Sequence, residues 1–420
     1  MQNLQTQLRT QMDSMPVVDV HTHIGGRGLR QARTLADIVS YHWLHLELYR
    51  AGADAPDTLA ASNPDLYMEK VAPFFKDIRN TSNHYVMITM LRDLYGFKDR
   101  TITEDNWKAL DKEVRKRAGS TAWISEVLDR AKVKKLTVAF KDGMPTKEDR
   151  YIPYEYGEYL FSPTTGARIA ELTEKSGIKP TNKDELKQAI DKQIASLKKE
   201  HNVGALHVWP RDNWQYRRCH EEDVNLLMIK VKVNRALTQE EDDRLISYAA
   251  DCTAEAAAKH GMTIQLFHGM DFYSERAPVA IASYWDPGFL RSIPKFASSH
   301  PNTQLDIFLA TRIPSHESAS IARMNRNISL SGAWWHGFTP STLVTFFKDR
   351  LELLPHTSWN AFFSDGYIAE WIYAKLLLTK NCLSCALATQ VEQGYLTADD
   401  ALDVAQKLLH DNAYRIYGLK

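Results

Sequence analysis

The stretch Pro16-Val17-Val18-Asp19-Val20-His21-Thr22-His23 decides the fold. Its first half is an apolar run, and Gly25-Gly26 closes it. A short run of this kind reads as a strand buried on both faces, the habit of parallel sheets flanked by helices. Side chains alternate along a strand, so His21 and His23 share one face and Thr22 takes the other. Both histidines fall at the C-terminal end of the strand. Two imidazoles placed together there form a metal-ligand pair.

Working outward, helical patterning fills the next hundred or so residues. It covers Thr34–Ala51, Asn63–Phe75, Thr81–Tyr95, Thr103–Arg117 and Thr121–Arg130. From residue 133 strands alternate with helices. Val133–Phe140, Tyr151–Tyr156, Gly204–Val208, Thr263–Phe267, Gln304–Leu309, Ile328–Leu330 and Ala361–Phe363 read as strands. Lys183–Lys199, Glu240–His260, Tyr367–Thr379 and Ala398–Asp411 read as helices. Such alternation implies parallel strands joined by right-handed crossovers. Eight strands imply an α/β chain folded as a (β/α)8 TIM barrel, with its site at the C-terminal strand ends. No repeat or Pro/Gly/Ser linker interrupts the pattern. The expectation is one barrel domain over residues 1–420, with a helical insertion after strand one at about 30–132.

Composition narrows the function classes. Hydrophobic residues make up 44% and charged residues 25%, which excludes disordered and collagen-like chains. Lys+Arg and Asp+Glu are both 52, so the basic excess of a nucleic-acid binder is missing. The longest uncharged stretch, about Ile328 to Phe347, contains Gly332, His336 and Pro340 and is no membrane span. The polar, Gln-rich Met1–Pro16 has no apolar signal core, so the expected compartment is the cytoplasm. Four cysteines are too few for a disulfide framework. Cys382 and Cys385 lie in a helical pattern with no second ligand pair and read as packed thiols. Ser nucleophile elbows, Walker A loops and His-Glu-x-x-His are absent. Gly25-Gly26-Arg27-Gly28 fits no phosphate fingerprint.

The partner of the histidine pair is found near the other end of the chain. Phe362-Phe363-Ser364-Asp365-Gly366 is an apolar strand ending in a carboxylate. Strand eight adjoins strand one in a closed barrel. Asp365 is therefore expected beside His21 and His23, able to bind a metal and to move protons. Strand four ends in His207-Val208-Trp209-Pro210-Arg211, which offers His207 and Arg211 to a substrate.

These residues resemble the metal signature of the amidohydrolase superfamily, and the whole chain resembles its uronate isomerase family. Asn80 to Phe97, with Asn80, His84, Arg92 and Tyr95-Gly96-Phe97, is similar to that family's Asn-x-x-x-His helix. Leu309-Ala310-Thr311-Arg312 resembles its Leu-Asn-Pro-Arg step, and Ser331-Gly332-Ala333-Trp334-Trp335 its Gly-x-Trp-Trp segment. His42, in Tyr41-His42-Trp43-Leu44-His45, resembles a pocket histidine of the insertion. Three positions depart from the family. Tyr367 replaces the Arg of Asp-x-Arg, and Tyr154-Glu155-Tyr156-Gly157 stands where Phe-Arg-Pro is expected. His268 follows Gln265-Leu266 one residue late, so it reaches the metal only through a bulge or at the strand's last turn.

The resemblance implies a metal-dependent isomerase that interconverts an aldehyde-form sugar acid, such as glucuronate, and its keto isomer. It implies one divalent ion, zinc first, on His21, His23, Asp365 and His268. Asp365, His42 and His268 are the candidate catalytic groups. Arg312, Trp335, His207 and Arg211 are candidates for binding a sugar acid or another carboxylate, with Arg27 and Arg30 as further cations. The alternative on the same ligands is hydrolysis of an amide, ester or lactone by a metal-activated water, or a decarboxylation. No nucleic acid or membrane partner is expected, and a homo-oligomer is left open.

Overall fold

The computed structural model describes residues 2–24, 32–140, 149–210, 214–272, 281–283 and 287–419. Eight parallel strands form one sheet: β1 (Val17–Asp19), β2 (Val133–Ala139), β3 (Tyr151–Tyr156), β4 (Ala205–Val208), β5 (Thr263–His268), β6 (Leu305–Leu309), β7 (Ile328–Ser331) and β8 (Trp359–Asn360). Their order in the sheet is their order in the chain. That is the topology of a (β/α)8 barrel. A separate antiparallel pair, Met270–Phe272 with Ile281–Ser283, follows β5.

The ladder between β7 and β8 is short, pairing only Trp359 with Leu330 and Asn360 with Ser331. The sequence reading placed strand eight at Ala361–Phe363. Those residues lie outside the ladder, and the Ala361 N–H donates instead to the Leu408 carbonyl. The sheet curls shut beyond the assigned strands. Asp365 N–H donates to the His21 carbonyl at 3.0 Å, and His23 N–H to the Gly366 carbonyl at 2.9 Å. The Ser364 N–H also donates to Asp19 Oδ1 at 2.9 Å. Closure thus joins the histidine pair directly to the carboxylate strand.

The barrel interior is a packed core of Val18, Val20, Ile152, Tyr154, Ala205, Phe267, Phe308 and Phe363. Ala413, Ile416 and Tyr417 join this cluster from the C-terminal turn. Gly332 is required where β7 turns toward Trp334. Its φ is +40°, and a Cβ there would stand 2.6 Å from the Phe363 ring. A larger core separates the strands from the surrounding helices. The helix Gln239–His260 shows how that layer is specified. A Thr238/Glu241 capping box starts it, Leu245, Ala249, Ala250, Ala254 and Ala257 give a buried stripe, and left-handed Gly261 stops it.

Between β1 and β2 lie the helices from Leu35 to Arg130. They are tied to the barrel's last long helix, Ala369–Glu392. Trp371 Nε1 donates to the Ile38 carbonyl at 2.9 Å, and Tyr95 Oη and Trp123 Nε1 both donate to buried Glu370. The segment read as one helix over Thr34–Ala51 is two, Leu35–Val39 and His42–Ala51, broken at Ser40-Tyr41. The start of the chain, Gln2–Ser14, is a helix that its polar composition hid. Cys382 and Cys385 are free thiols within a helix, as expected. Among the described residues no helix is long and apolar enough to cross a membrane.

Candidate metal centre

His21, His23 and Asp365 converge at the C-terminal ends of β1 and the eighth strand, with one ligand atom from each within 4.8 Å of the others. His23 Nε2 is 3.0 Å and His21 Nε2 3.8 Å from Asp365 Oδ1. The two imidazoles stand edge to face at 88°. Asp365 adopts a left-handed φ of 52°, a conformation aspartate tolerates better than most residues and one common at functional positions.

The far nitrogen of each imidazole is anchored. His21 Nδ1 lies 3.1 Å from Gln265 Oε1. The amide of Gln265 is itself oriented, since Nε2 donates to the Val20 carbonyl at 2.7 Å and to Tyr417 Oη at 2.8 Å. Tyr417 in turn donates to Asp306 Oδ2 at 2.6 Å. An amide oxygen only accepts, so His21 carries its proton on Nδ1 and turns the Nε2 lone pair toward Asp365. His21 Nε2 is buried and makes no hydrogen bond. On the other ligand, His23 Nδ1 lies 3.2 Å from Tyr156 Oη.

Electrostatics favour the ligand form of His21 and Asp365. Burial first, then the neighbouring His23, pushes the His21 imidazole down to about 3, so it is neutral at pH 7. Burial would raise the Asp365 carboxyl, but His23 beside it, then Lys375 and His21, hold it below the usual carboxylate range. Two imidazole nitrogens and a carboxylate oxygen aimed at one point, with a buried lone pair on His21 lacking a donor, fit a divalent cation of the zinc type.

No family model matches the chain. It is 20% identical over 455 aligned positions to the uronate isomerase of Cutibacterium acnes (strain DSM 16379 / KPA171202), covering 96% of this chain and 93% of that one. Solved uronate isomerase structures superpose along its length. For that of Thermotoga maritima the TM-score is 0.83 at 13% identity, covering 99% of this chain and 97% of that one. For that of Bacillus halodurans C-125 it is 0.80 at 15%, covering 100% and 97%. The glucuronate isomerase of Caulobacter crescentus gives 0.81 at 15%, covering 100% and 94%. The chain has the fold of the uronate isomerases.

Within the uronate isomerase fold, the other sequence candidates are distributed unevenly. His268 needs a correction. The ladder from Ile264 to His268 pairs continuously with Leu305 to Leu309, so no bulge turns the histidine inward. His268 stacks face to face on Phe289 of the helix Pro287–Ser299, at 3.9 Å and 6°. Phe267 takes the inward place, its ring 4.6 Å from His21 and 4.2 Å from His207. His268 is therefore outside the ligand group. His207 does face inward. It is buried and stacks on His21 at 5.0 Å and 19°, without joining the three ligands. Arg312 is exposed in the turn after β6, within electrostatic reach of Asp349. Arg211, Arg27 and Arg30 lie outside the described residues, as do the side chains of His42 and Trp335. Five other histidines have structural partners. His84 bonds Thr101 at 3.0 Å, His45 bonds Tyr67 at 3.0 Å, and His260, His300 and His410 face acidic neighbours.

Lys375 and Tyr417 escaped the sequence reading, and Tyr367 was read only as the residue in place of the Arg of Asp-x-Arg. Tyr367, two residues after Asp365, stacks on His23 at 4.6 Å and 18°. Lys375 is buried, its ammonium 5.1 Å from the Tyr41 ring and 5.2 Å from the Phe338 ring. Burial lowers it to about 8, and Asp365 and then Asp19 oppose that shift. A lone lysine between Trp371 and Leu376 was the available signal. Gln265 and Tyr417 carried none, because their contact spans 152 positions of chain.

Proposed function

We propose that this chain is a metal-dependent isomerase of a sugar acid, interconverting an aldehyde-form uronate such as glucuronate and its keto isomer. The observation that carries the reading is the convergence of His21 Nε2, His23 Nε2 and Asp365 Oδ1 at the mouth of a barrel with the uronate isomerase fold. Its sequence similarity to a uronate isomerase over 96% of the chain supports the same conclusion. The three residues would hold one divalent ion, zinc by preference for nitrogen-rich sites with an open position. When bound, the ion supplies polarisation of the substrate's carbonyl and hydroxyl oxygens.

The chain's own groups do the rest. Asp365, buried and kept ionised, accepts the proton of the substrate hydroxyl and returns it to the new one. His42 is assigned the proton that moves between the two adjacent carbons. Its neighbour Tyr41 is buried, and burial first, then the charge of Asp365, raises its phenol, which supports this assignment. His207, neutral because burial drives its imidazole well below the ordinary value, is assigned a hydroxyl contact. Arg312 and Arg211 are assigned the substrate carboxylate, and Trp335 the sugar face.

The test is an aldose–ketose assay over a panel of uronic acids, with and without added divalent metal. Metal-dependent interconversion of at least one uronate is the expected result. Turnover of an ester or lactone with no uronate isomerised would overturn the reading in favour of hydrolysis.

A further inference from the structure

The C-terminal turn enters the barrel from the end opposite the candidate centre. Thr263, the first residue of β5, donates from Oγ1 to the Ile416 carbonyl at 2.7 Å. Asn412 Nδ2 donates to the carbonyl of Trp359, at the start of β8, at 2.7 Å. These bonds fix the turn at the N-terminal strand ends, and Ile416 and Tyr417 join the interior core. The Tyr417 hydroxyl is the polar tip of this plug. It donates to Asp306 Oδ2 of β6 at 2.6 Å and accepts from Gln265 Nε2 of β5 at 2.8 Å. Asp306 Oδ2 also accepts from Ser331 Oγ of β7 at 2.7 Å, and Ser331 Oγ accepts from Asn360 Nδ2 of β8 at 2.9 Å. Four neighbouring strands thus fix the place of one phenol oxygen.

Gln265 carries that order up to the candidate centre. The Val20 carbonyl can only accept, so Nε2 is the atom that faces it, at 2.7 Å. An amide nitrogen has two hydrogens, and Tyr417 takes the second. Oε1 is thereby turned to the His21 ring, 3.1 Å from Nδ1. A phenylalanine would fill the barrel floor as well as a tyrosine does. A buried polar chain is costly unless its members are satisfied, so the hydroxyl is accounted for by what it orients.

We propose that Tyr417 is a positioning residue of the metal centre: the C-terminal turn holds the Gln265 amide against His21 and so sets where the His21 ring points. The inference rests on the metal-centre reading above and deepens it. Without the hydroxyl, one buried amide hydrogen loses its acceptor and only the Val20 carbonyl steadies Nε2. The amide then tilts, and the His21 ring is held less closely on the line to His23 and Asp365. Partners behind a ligand act in this way, by fixing the orientation of its ring.

The test is zinc titration of the metal-free wild type, Tyr417→Phe, Gln265→Met and the double variant. Gln265→Met is expected to bind zinc about 10–100-fold more weakly, the usual effect of removing a partner behind a ligand. Tyr417→Phe is expected to bind it about 2–10-fold more weakly, the worth of one hydrogen bond. The double variant should match Gln265→Met alone, because Tyr417 acts through that amide. A hydroxyl that only stabilised the fold would change the melting temperature and leave the zinc affinity of the folded protein as it is. Should Tyr417→Phe fail to fold, Tyr417→Met, which lacks the hydroxyl and fills the space with a flexible chain, takes its place. Zinc bound equally tightly by wild type and Tyr417→Phe would overturn the proposal alone. So would a loss on Tyr417→Phe that is as large without Gln265 as with it. A wild type that takes up no zinc would overturn the metal-centre reading and this proposal with it.

Discussion

Asp365 concentrates the chemistry that the centre requires. It is buried, strained into a left-handed φ of 52°, and held ionised by His23, Lys375 and His21. Asparagine keeps its size and tolerates the same backbone, but cannot take a proton. Asp365→Asn is expected to lower kcat by at least about a hundredfold, within the usual range for a lost general base. Its melting temperature should remain near that of wild type. Steady-state kinetics beside a melting curve check this, and near-normal turnover would reduce Asp365 to a turn residue. Asp19 shows the opposite shift. Burial raises its carboxyl from 3.8 to about 7, against hydrogen bonds from Ser364 and His21. The folded chain therefore holds a proton in that window that the unfolded chain has released. Stability from this group is full below about 3.8 and is lost as pH rises through about 7. Asp19→Asn removes that slope. Melting curves across pH should show the variant gaining on wild type between acid and neutral pH, and a constant gap would contradict the assignment.

The eighth strand and strand β5 show what was legible at the scale of elements. His21 and His23 could be read as a pair from their place just after the first apolar run, although β1 ends at Asp19 and strand alternation does not extend to them. Asp365 could be placed because barrel closure makes the first and last strands neighbours, as the bonds between His21 and Asp365 confirm. The side chains around them could not be read. Tyr417 meets Gln265 across 152 positions, and Lys375 depends on how one helix packs under Tyr41 and Phe338. His268 was ambiguous by one residue, and only the unbroken ladder with β6 resolved its facing. Its place on the helix side predicts that His268→Phe, still stacked on Phe289, leaves metal content and turnover within about twofold of wild type. The loop arginines belong to the same scale. If Arg312 meets the substrate carboxylate, Arg312→Met should weaken kcat/KM for acidic sugars about tenfold to a hundredfold, the worth of a charge-assisted bond. Neutral sugars should be little affected. An equal effect on both kinds would remove Arg312 from that role.

Across the whole molecule, the barrel brings residues from opposite ends of the chain to one point, and closure occurs at that point. His21 and His23 follow the first strand, Asp365 follows the last, and the backbone bonds that join them pass through the ligands themselves. Likeness to solved uronate isomerases at 13–15% identity carries the fold, and in this chain Phe267, Tyr156 and Tyr367 surround the histidine pair. The metal ligands are the part of the site that the rest of the account depends on. Elemental analysis of the purified chain tests them most directly, set beside the double variant His21→Ala/His23→Ala. The account predicts one divalent ion per wild-type chain and almost none in the folded variant. Metal content undiminished by removal of both histidines would contradict it.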